Sequence, residues 1–280
     1  ARTDYVKVGV YRDVILDIAD GVWIEDVWVR TALSPDHRRA AVHVQVHASR
    51  REGWLHWTLS DADGATVARG DAEASQQALR IDLDRPRLWW PRGHGEPYLY
   101  TLRVELTHGG IRRDLRIVPV GIRTVALQTR DPATLTPVWR FLVNDTPIFL
   151  RGAALLALLE RGATAERLLD LAQRAHMNVL RVRGAGGLPA DDGFYEACDR
   201  RGLLVWQEFP FDGGAYPDDD AFLAEARAEA EGIVRRLRNH PSVLVWVGRS
   251  EAPIGEDAAH DTAGTAGSRL FGKVLPEACM

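Results

Sequence analysis

From Val22 to about Val125, apolar and polar positions alternate at period two. Val42, Val44 and Val46, and again Leu102, Val104 and Leu106, place every second side chain on one face, the pattern of half-buried antiparallel strands. Turn signals interrupt the alternation at Ser34-Pro35-Asp36, Asp63-Gly64, Pro91-Arg92-Gly93 and Gly109-Gly110. Their spacing predicts about seven short strands packed as a sandwich of roughly 100 residues. A strand-like run ahead of this region, Val10 to Leu16, has no partners of its own and reads as the last strand of a unit lying upstream.

After Trp139 the pattern changes. Trp139 to Val143 and Ile148 to Leu150 flank Asn144-Asp145-Thr146-Pro147, residues that favour a turn, and predict a hairpin ending near Arg151. Strands and helices then alternate. Thr164 is placed to cap a helix carrying Leu168, Leu169, Ala172 and Ala175 on one face, with Glu166 at the positive end of its dipole. A strand from Asn178 to Val182 follows, then a helix from Asp191 to Arg201 on which Cys198, sharing a face with Phe194, reads as a small buried hydrophobe. A strand from Leu203 to Phe209, a long helix from Asp219 to Arg238 and a wholly apolar strand from Val243 to Val247 follow, and with the strand ending near Arg151 they make four βα units. That rhythm predicts a parallel sheet or barrel with right-handed crossovers. A closed (β/α)8 barrel needs eight units and typically ~250 residues. Either the sheet is open and doubly wound, or the chain is a piece of something longer. The unpartnered strand at the start and a final helix-like segment, Ser268 to Ala278, favour the second expectation.

Composition narrows the function classes. The 280 residues carry a formal charge of −4, with 46% hydrophobic and 26% charged residues, an ordinary globular balance that excludes a disordered or collagen-like chain. The longest unbroken apolar stretch, Ala153 to Leu159, is far below the ~20 residues that span a bilayer, so no membrane partner is expected. The slight acidic excess argues against a nucleic-acid partner. Two cysteines, Cys198 and Cys279, make no disulfide framework and stand in no metal-binding spacing. Neither a metal nor an organic cofactor is expected. His43 and His47 share a strand face but lack a third ligand, and read as surface. Arg235, Arg236 and Arg238 read as part of a solvated helix face shared with Glu225, Glu229 and Glu231. Gly184-Ala-Gly-Gly187 lacks the lysine and hydroxyl of a phosphate loop and reads as a tight backbone turn. Nine tryptophans hint at stacking on sugar rings, although core packing accounts for most tryptophans.

In parallel α/β architectures the ligand crevice lies beyond the carboxyl ends of the strands. The residues expected there are Arg181 and Arg183, Gln207 and Glu208, and Ser250 with Glu251. Two carboxylates beside two arginines suit acid–base work on a neutral polyol or sugar, and they equally suit plain ion pairs.

The runs Asn178-Val-Leu-Arg-Val-Arg-Gly-Ala-Gly-Gly187, Asp192-Gly-Phe-Tyr-Glu-Ala-Cys-Asp199, Gly202-Leu-Leu-Val-Trp-Gln-Glu-Phe209 and Leu237-Arg-Asn-His-Pro-Ser-Val-Leu-Val-Trp246 through Glu251 carry a family resemblance. In order and spacing they resemble the β-mannosidase branch of glycoside hydrolase family 2. The likeness extends back through Gly121-Ile-Arg-Thr124, Pro97-Tyr-Leu-Tyr100 and Leu88-Trp-Trp-Pro91 to Gly9-Val-Tyr-Arg-Asp-Val14. It implies a multidomain β and α/β fold: residues 1–21 closing an upstream sugar-binding jelly roll, 22–127 an immunoglobulin-like β-sandwich, and 128–280 the first half of a (β/α)8 TIM barrel. It implies a retaining exo-glycosidase acting on a β-glycoside, with Glu251 as general acid/base and Arg181 orienting carboxylates. Arg183, Trp206, Glu208 and Ser250 fall among its sugar-contacting positions.

The departures from the family pattern are specific. Ser250 stands for the usual asparagine, Arg183 for a tryptophan, Ala154-Leu155 for an asparagine–tryptophan pair and Glu208 for an aspartate. Losing two aromatic platforms and two amides weakens sugar binding, so either the sugar differs from a simple β-mannoside or the scaffold serves carbohydrate binding or assembly without turnover. The family's nucleophile would fall beyond Met280, unless Glu208 serves. A half barrel with bare edges is also expected to self-associate.

Overall fold

The structure is a computed structural model that describes residues 21–155, 164–183, 191–211, 216–248 and 267–280, together with Val14, Leu16, Ile18 and Ala19. The Val10 to Leu16 run lies almost wholly outside the described residues, as do Gly184 to Gly187, Ser250 and Glu251.

The period-two region forms seven strands: β1 (Ile24–Leu33), β2 (Arg39–Ala48), β3 (Trp54–Ser60), β4 (Thr66–Glu73), β5 (Ala78–Asp84), β6 (Tyr100–His108) and β7 (Ile111–Val120). They make two antiparallel sheets, ordered β1-β2-β5 and β4-β3-β6-β7. One cluster joins them: Val42, Val44 and Val46 from the first sheet pack with Leu55, Leu59, Leu102, Val104 and Leu106 from the second. Their polar neighbours, including His43 and His47, face outward. Among the described residues no three His, Cys, Asp or Glu side chains gather as a metal site.

A small sheet follows, ordered β10-β9-β8, from β8 (Val125–Arg130), β9 (Pro137–Val143) and β10 (Thr146–Ile148). The hairpin is tighter than its sequence suggests. Only Asn144 and Asp145 form the turn, both with positive φ (49° and 59°), and Thr146 pairs directly with Val143. This is the two-residue connection that Asn and Asp tolerate best. Pro147 is accommodated because β10 is an edge strand.

The last sheet is parallel, ordered β11-β12-β13-β14, from β11 (Gly152–Leu155), β12 (Val179–Val182), β13 (Leu204–Glu208) and β14 (Val243–Val247). Its first strand starts at Gly152, just where the hairpin was expected to end, so Ala154 and Leu155 lie inside a strand paired with Arg181 and Val182. Helices α1 (Ala165–Arg174), α2 (Asp192–Arg201) and α3 (Asp220–Leu237) connect the strands. Each begins at a side chain that accepts a hydrogen bond from a free N–H of the first turn: Thr164 from Arg167, Asp191 from Phe194 and Asp219 from Phe222. On α1 the packed residues are Leu169 and Ala172, while Ala175 is exposed at the C-cap. Cys198 is fully buried between α2 and the sheet, and that burial raises its thiol pKa. At the carboxyl end a π turn, Leu270–Val274, runs into α4 (Leu275–Ala278). Pro276 in the following turn has no N–H to donate, a defect that favours such a widened turn. No helix among the described residues is long and apolar enough to cross a membrane.

Residues separated by some 210 positions join the antiparallel and parallel halves. β1 is an edge strand, and its outer peptide groups are met by side chains. Asn239 accepts a hydrogen bond from Val29 N–H at 2.9 Å and donates to Val27 O at 2.7 Å, taking the place of a strand partner. Arg238 pairs with Asp26 and lies over the Trp28 ring at 4.4 Å. Arg236 pairs with Asp192 at 3.4 Å and lies over the Tyr195 ring. The solvated face expected for these arginines holds for Arg235, which is exposed, whereas Arg238 joins the two halves and Arg236 ties α3 to α2, each guanidinium covering an aromatic ring. Trp89, fully buried, donates from its indole nitrogen to Asp199 O at 2.9 Å. Gly121 abuts Pro241 so closely that a Cβ there would come within 2.6 Å of the proline ring.

Two outcomes follow from this packing. Asn239→Leu removes both hydrogen bonds to β1 and leaves two backbone groups unmet; urea unfolding should show a loss of about 2–4 kcal/mol. Iodoacetamide should label Cys279 before Cys198. Burial pushes the Cys279 thiol up to about 11, so its labelling rate should still be climbing tenfold per pH unit between pH 8 and 9, and a plateau below pH 9 would contradict the assignment.

Candidate active site

The two faces of the parallel sheet differ in chemistry. On the helix side Leu180, Val182, Val205 and Val243 pack with Leu169, Phe194 and Leu237. Gln207, expected at the crevice, also belongs to this side: its carbonyl accepts from the Tyr195 hydroxyl at 2.5 Å and its amide donates to Glu208 O at 2.8 Å. It is buried as a spacer between α2 and β13 and does not reach the rim.

The other face is filled in its lower part by Val179, Leu204 and Leu244 against Phe141, Val143 and Ile148 of the small sheet, with Trp89 beside them. Toward the carboxyl ends it opens into a concavity of about 470 Å³ bounded by Ala154, Arg181, Trp206, Glu208 and Val247, among others. The parallel register sets Arg181 beside Trp206, and alternation brings Glu208 to the same face. Arg181 Nε donates to Glu208 Oε1, and Glu208 is only 3% exposed whereas Arg181 is about one third exposed. Burying a carboxyl group that deep in the sheet is costly without such a partner. Trp206 packs edge-on against Phe141, ring centroids 6.0 Å apart, and its indole N–H is buried with no acceptor among the described residues.

Of the residues expected at the site, Arg181, Trp206 and Glu208 stand together at this concavity. Arg183 follows the last residue of β12 and is half-buried. The expected positions of Ser250 and Glu251 lie outside the described residues, beyond β14, whose Val247 borders the concavity. Sequence reading missed the dyad of His240 and Asp199, whose Nδ1 and Oδ2 lie 2.6 Å apart. Asp199 also accepts from the Ser242 N–H at 2.9 Å, at the opposite end of β14. Both residues sit inside motifs that the sequence analysis quoted. Only their meeting across 41 positions shows that they fix the start of this strand.

Residues 22–123 match the sequence model of glycosyl hydrolases family 2. The chain is 35% identical over 255 residues to beta-mannosidase B of Aspergillus terreus, covering 88% of this chain and 30% of that protein. It is 34% identical over 253 residues to beta-mannosidase B of Aspergillus flavus, covering 87% and 30%. The beta-D-mannosidase structure from Dictyoglomus thermophilum superposes with a TM-score of 0.77 at 31% identity, over 92% of this chain and 33% of that one. A β-glucuronidase from Ruminococcus gnavus shares the fold, with a TM-score of 0.70 at 23% identity, over 92% of this chain and 41% of that one. The likeness to family 2 glycosyl hydrolases is carried by residues 22–123, and over most of its length the chain is β-mannosidase-like, spanning about 30% of the length of the curated relatives it matches.

The Arg181–Glu208 pair makes a direct prediction. Arg181→Met leaves Glu208 buried without its cation. Because Arg181 is partly solvated, the loss of stability should sit at or below the low end for buried pairs, about 2–3 kcal/mol. Arg181→Met combined with Glu208→Leu should recover most of it in urea unfolding; a double variant no more stable than the single would show that the pair is not what holds this rim together.

Proposed function

We propose that this chain contributes an immunoglobulin-like sandwich (residues 22–127) and the first half of a (β/α)8 barrel (residues 128–280) to a retaining exo-glycosidase acting on β-glycosides, β-mannosides foremost, with residues 1–21 closing a preceding jelly roll. The observation that carries this reading is a buried carboxylate locked to an arginine at the carboxyl ends of adjacent parallel strands, in a chain about one third identical to proteins named beta-mannosidase. Sites in barrels of this kind lie at that end.

In this reading Glu251, four residues past Val247, is the general acid/base. It protonates the leaving glycosidic oxygen, then takes a proton from the water that releases the sugar. Arg181 and Glu208 form the floor beneath it. The arginine holds Glu208 in one rotamer and presents its exposed edge to the pocket, and Trp206 supplies an apolar wall. Arg183 and Ser250 contact the sugar. A double displacement needs a second carboxylate ~5 Å from the first, on the opposite side of the sugar. The family resemblance puts that nucleophile in a later part of the barrel, and the residues present then need partners, either the rest of the barrel or another copy of the chain.

Three outcomes test the reading. In the enzyme that carries this segment, Glu251→Gln should lower turnover of an aryl β-mannoside by about 10²–10⁴-fold. Unchanged turnover would show that Glu251 is not the acid/base, and no turnover by the parent enzyme would favour the non-catalytic carbohydrate-binding alternative. Ser250→Asn or Arg183→Trp should raise that turnover roughly ten- to a hundredfold, the worth of one hydrogen bond or stacking contact strengthened in the transition state. If both lower it, the pocket is built for another sugar. The 280-residue chain alone should be inert toward aryl β-mannoside, β-glucoside and β-galactoside. Turnover sensitive to Glu251→Gln would instead place the second carboxylate within these residues, with Glu208 the first suspect.

A further inference from the structure

The small sheet β10-β9-β8 has two unlike faces. Residues paired in register share a face, so Val125, Leu127, Phe141, Val143 and Ile148 lie on one side, with Trp139 two residues ahead of Phe141 on the same strand. Gln128 and Arg140, paired with each other, take the other side. The apolar face is covered only in part. Phe141, Val143 and Ile148 are buried against Val179, Leu204 and Leu244, at the amino ends of β12, β13 and β14. Trp139 is 79% exposed, and Val125 and Leu127 are 36% and 39% exposed.

The uncovered part has a definite place. Along β9, in steps of about 7 Å, exposure climbs from 0% at Val143 through 8% at Phe141 to the open Trp139, so this strand leaves the shelter of the four parallel strands as it runs away from the hairpin. Across the sheet, β10 leads through Phe149 to Arg151 into β11, whereas β8 lies by the start of β14: Val125 borders the same cleft as His240 and Pro241, and Arg123, two residues ahead of β8, donates to Val243 O at 2.5 Å. The small sheet thus crosses beneath the parallel sheet from the β11 side to the β14 side. No strand among the described residues pairs with the outer edge of β14. Single exposed apolar side chains are ordinary, but these three adjoin one another on a face whose remainder is already an interior contact.

We infer, on the barrel reading proposed above, that Trp139, Leu127 and Val125 are the seat of the parallel strands that follow β14 in the longer protein. Continuity carries the choice of occupant. What already covers this face is a row of apolar side chains at the amino ends of parallel strands, and a closed barrel continues that row past β14 with four more strands. The curated relatives are long enough to supply them, since this chain spans about 30% of their length. The small sheet then floors the whole barrel. The strand that bears the second carboxylate stands on Trp139 and its neighbours as β14 stands on the buried part of the same face, so both halves of the site are referred to one rigid element.

Oxidative footprinting of tryptophan, read residue by residue by mass spectrometry against an added reference peptide, tests this on the 280-residue chain and on the longer enzyme. Trp139 should be oxidised at least tenfold more slowly in the longer enzyme. A benzophenone amino acid in place of Trp139 should, on irradiation of the longer enzyme, attach to peptides that follow residue 280 of this segment. Equal Trp139 rates in the two proteins would overturn the proposal. So would crosslinks confined to residues 1–280, or crosslinks to a second polypeptide, which would make another copy the occupant. The footprint needs no variant and decides the matter even if the benzophenone protein fails to fold. Glu251→Gln separates this from the catalytic reading: an open Trp139 in an enzyme that this change inactivates sinks the seat alone, and a protected Trp139 in an enzyme indifferent to it sinks the acid/base assignment alone.

Discussion

The open edge of β1 is the constraint on which the rest of the arrangement depends. An edge strand exposes a row of N–H and C=O groups that must find partners or face water. Here side chains meet that row at Ile24, Val27 and Val29. Asp114 accepts from Ile24 N–H, and Arg116 donates to Ile24 O. Asn239 meets Val27 and Val29, and the Thr31 hydroxyl donates to Arg123 O. The first pair comes from β7 and closes the double sheet on itself. Asn239 comes from the parallel half, and Thr31 reaches the segment ahead of β8. Each bond is worth only about a kilocalorie per mole, yet breaking one strands a partly buried backbone group, so the joint resists partial opening.

Because Asn239 and His240 lie just ahead of β14, whatever fixes them also fixes where that strand begins. Asp199 grips the same turn from α2 through His240 and the Ser242 N–H. Its backbone oxygen in turn receives the Trp89 indole, and the Asn144 side chain donates to Trp89 O at 3.1 Å. Pieces of both halves therefore converge on one end of a five-residue strand. A rigid strand carries a small displacement at its start to its other end, and that other end is where a catalytic geometry would have to be held to within about half an ångström.

Much of this was legible in the sequence, and the limits have physical causes. Period-two alternation marked the antiparallel strands because each has one face in a core and one in water. Thr164, Asp191 and Asp219 marked helix starts because their side chains satisfy the first-turn N–H groups whatever the tertiary context. Local signals failed where the outcome depends on distant partners. The hairpin turn shrank to Asn144 and Asp145 because both accept left-handed backbone, which let Thr146 and Pro147 join a strand. Gln207 pointed away from the crevice because alternation along β13 leaves only every second residue facing it. Arg236 and Arg238, charged residues on a helix rich in glutamate, read as solvated because nothing nearby in sequence announces Tyr195 or Trp28 as their covering rings. Within the candidate site, Arg181 and Glu208 could be read as rim residues from strand ends alone and Trp206 only through the family resemblance, but not the direct pairing of Arg181 with Glu208.

That pairing changes how the departures from the family pattern weigh against one another. Glutamate reaches one methylene further than the usual aspartate, and at Glu208 that length is spent inside the sheet in meeting Arg181. The change at Ala154 is of another kind. Ala154 stands opposite Arg181 in the strand register and borders the concavity, and its methyl group leaves open the space that an amide would fill. The floor is thus chemically intact while its β11 side is widened. In the glycosidase proposed above, a pocket altered in this way would keep its buried ion pair and lose contacts to the sugar, so the substitutions would bear more heavily on which glycoside is accepted than on whether one is cut.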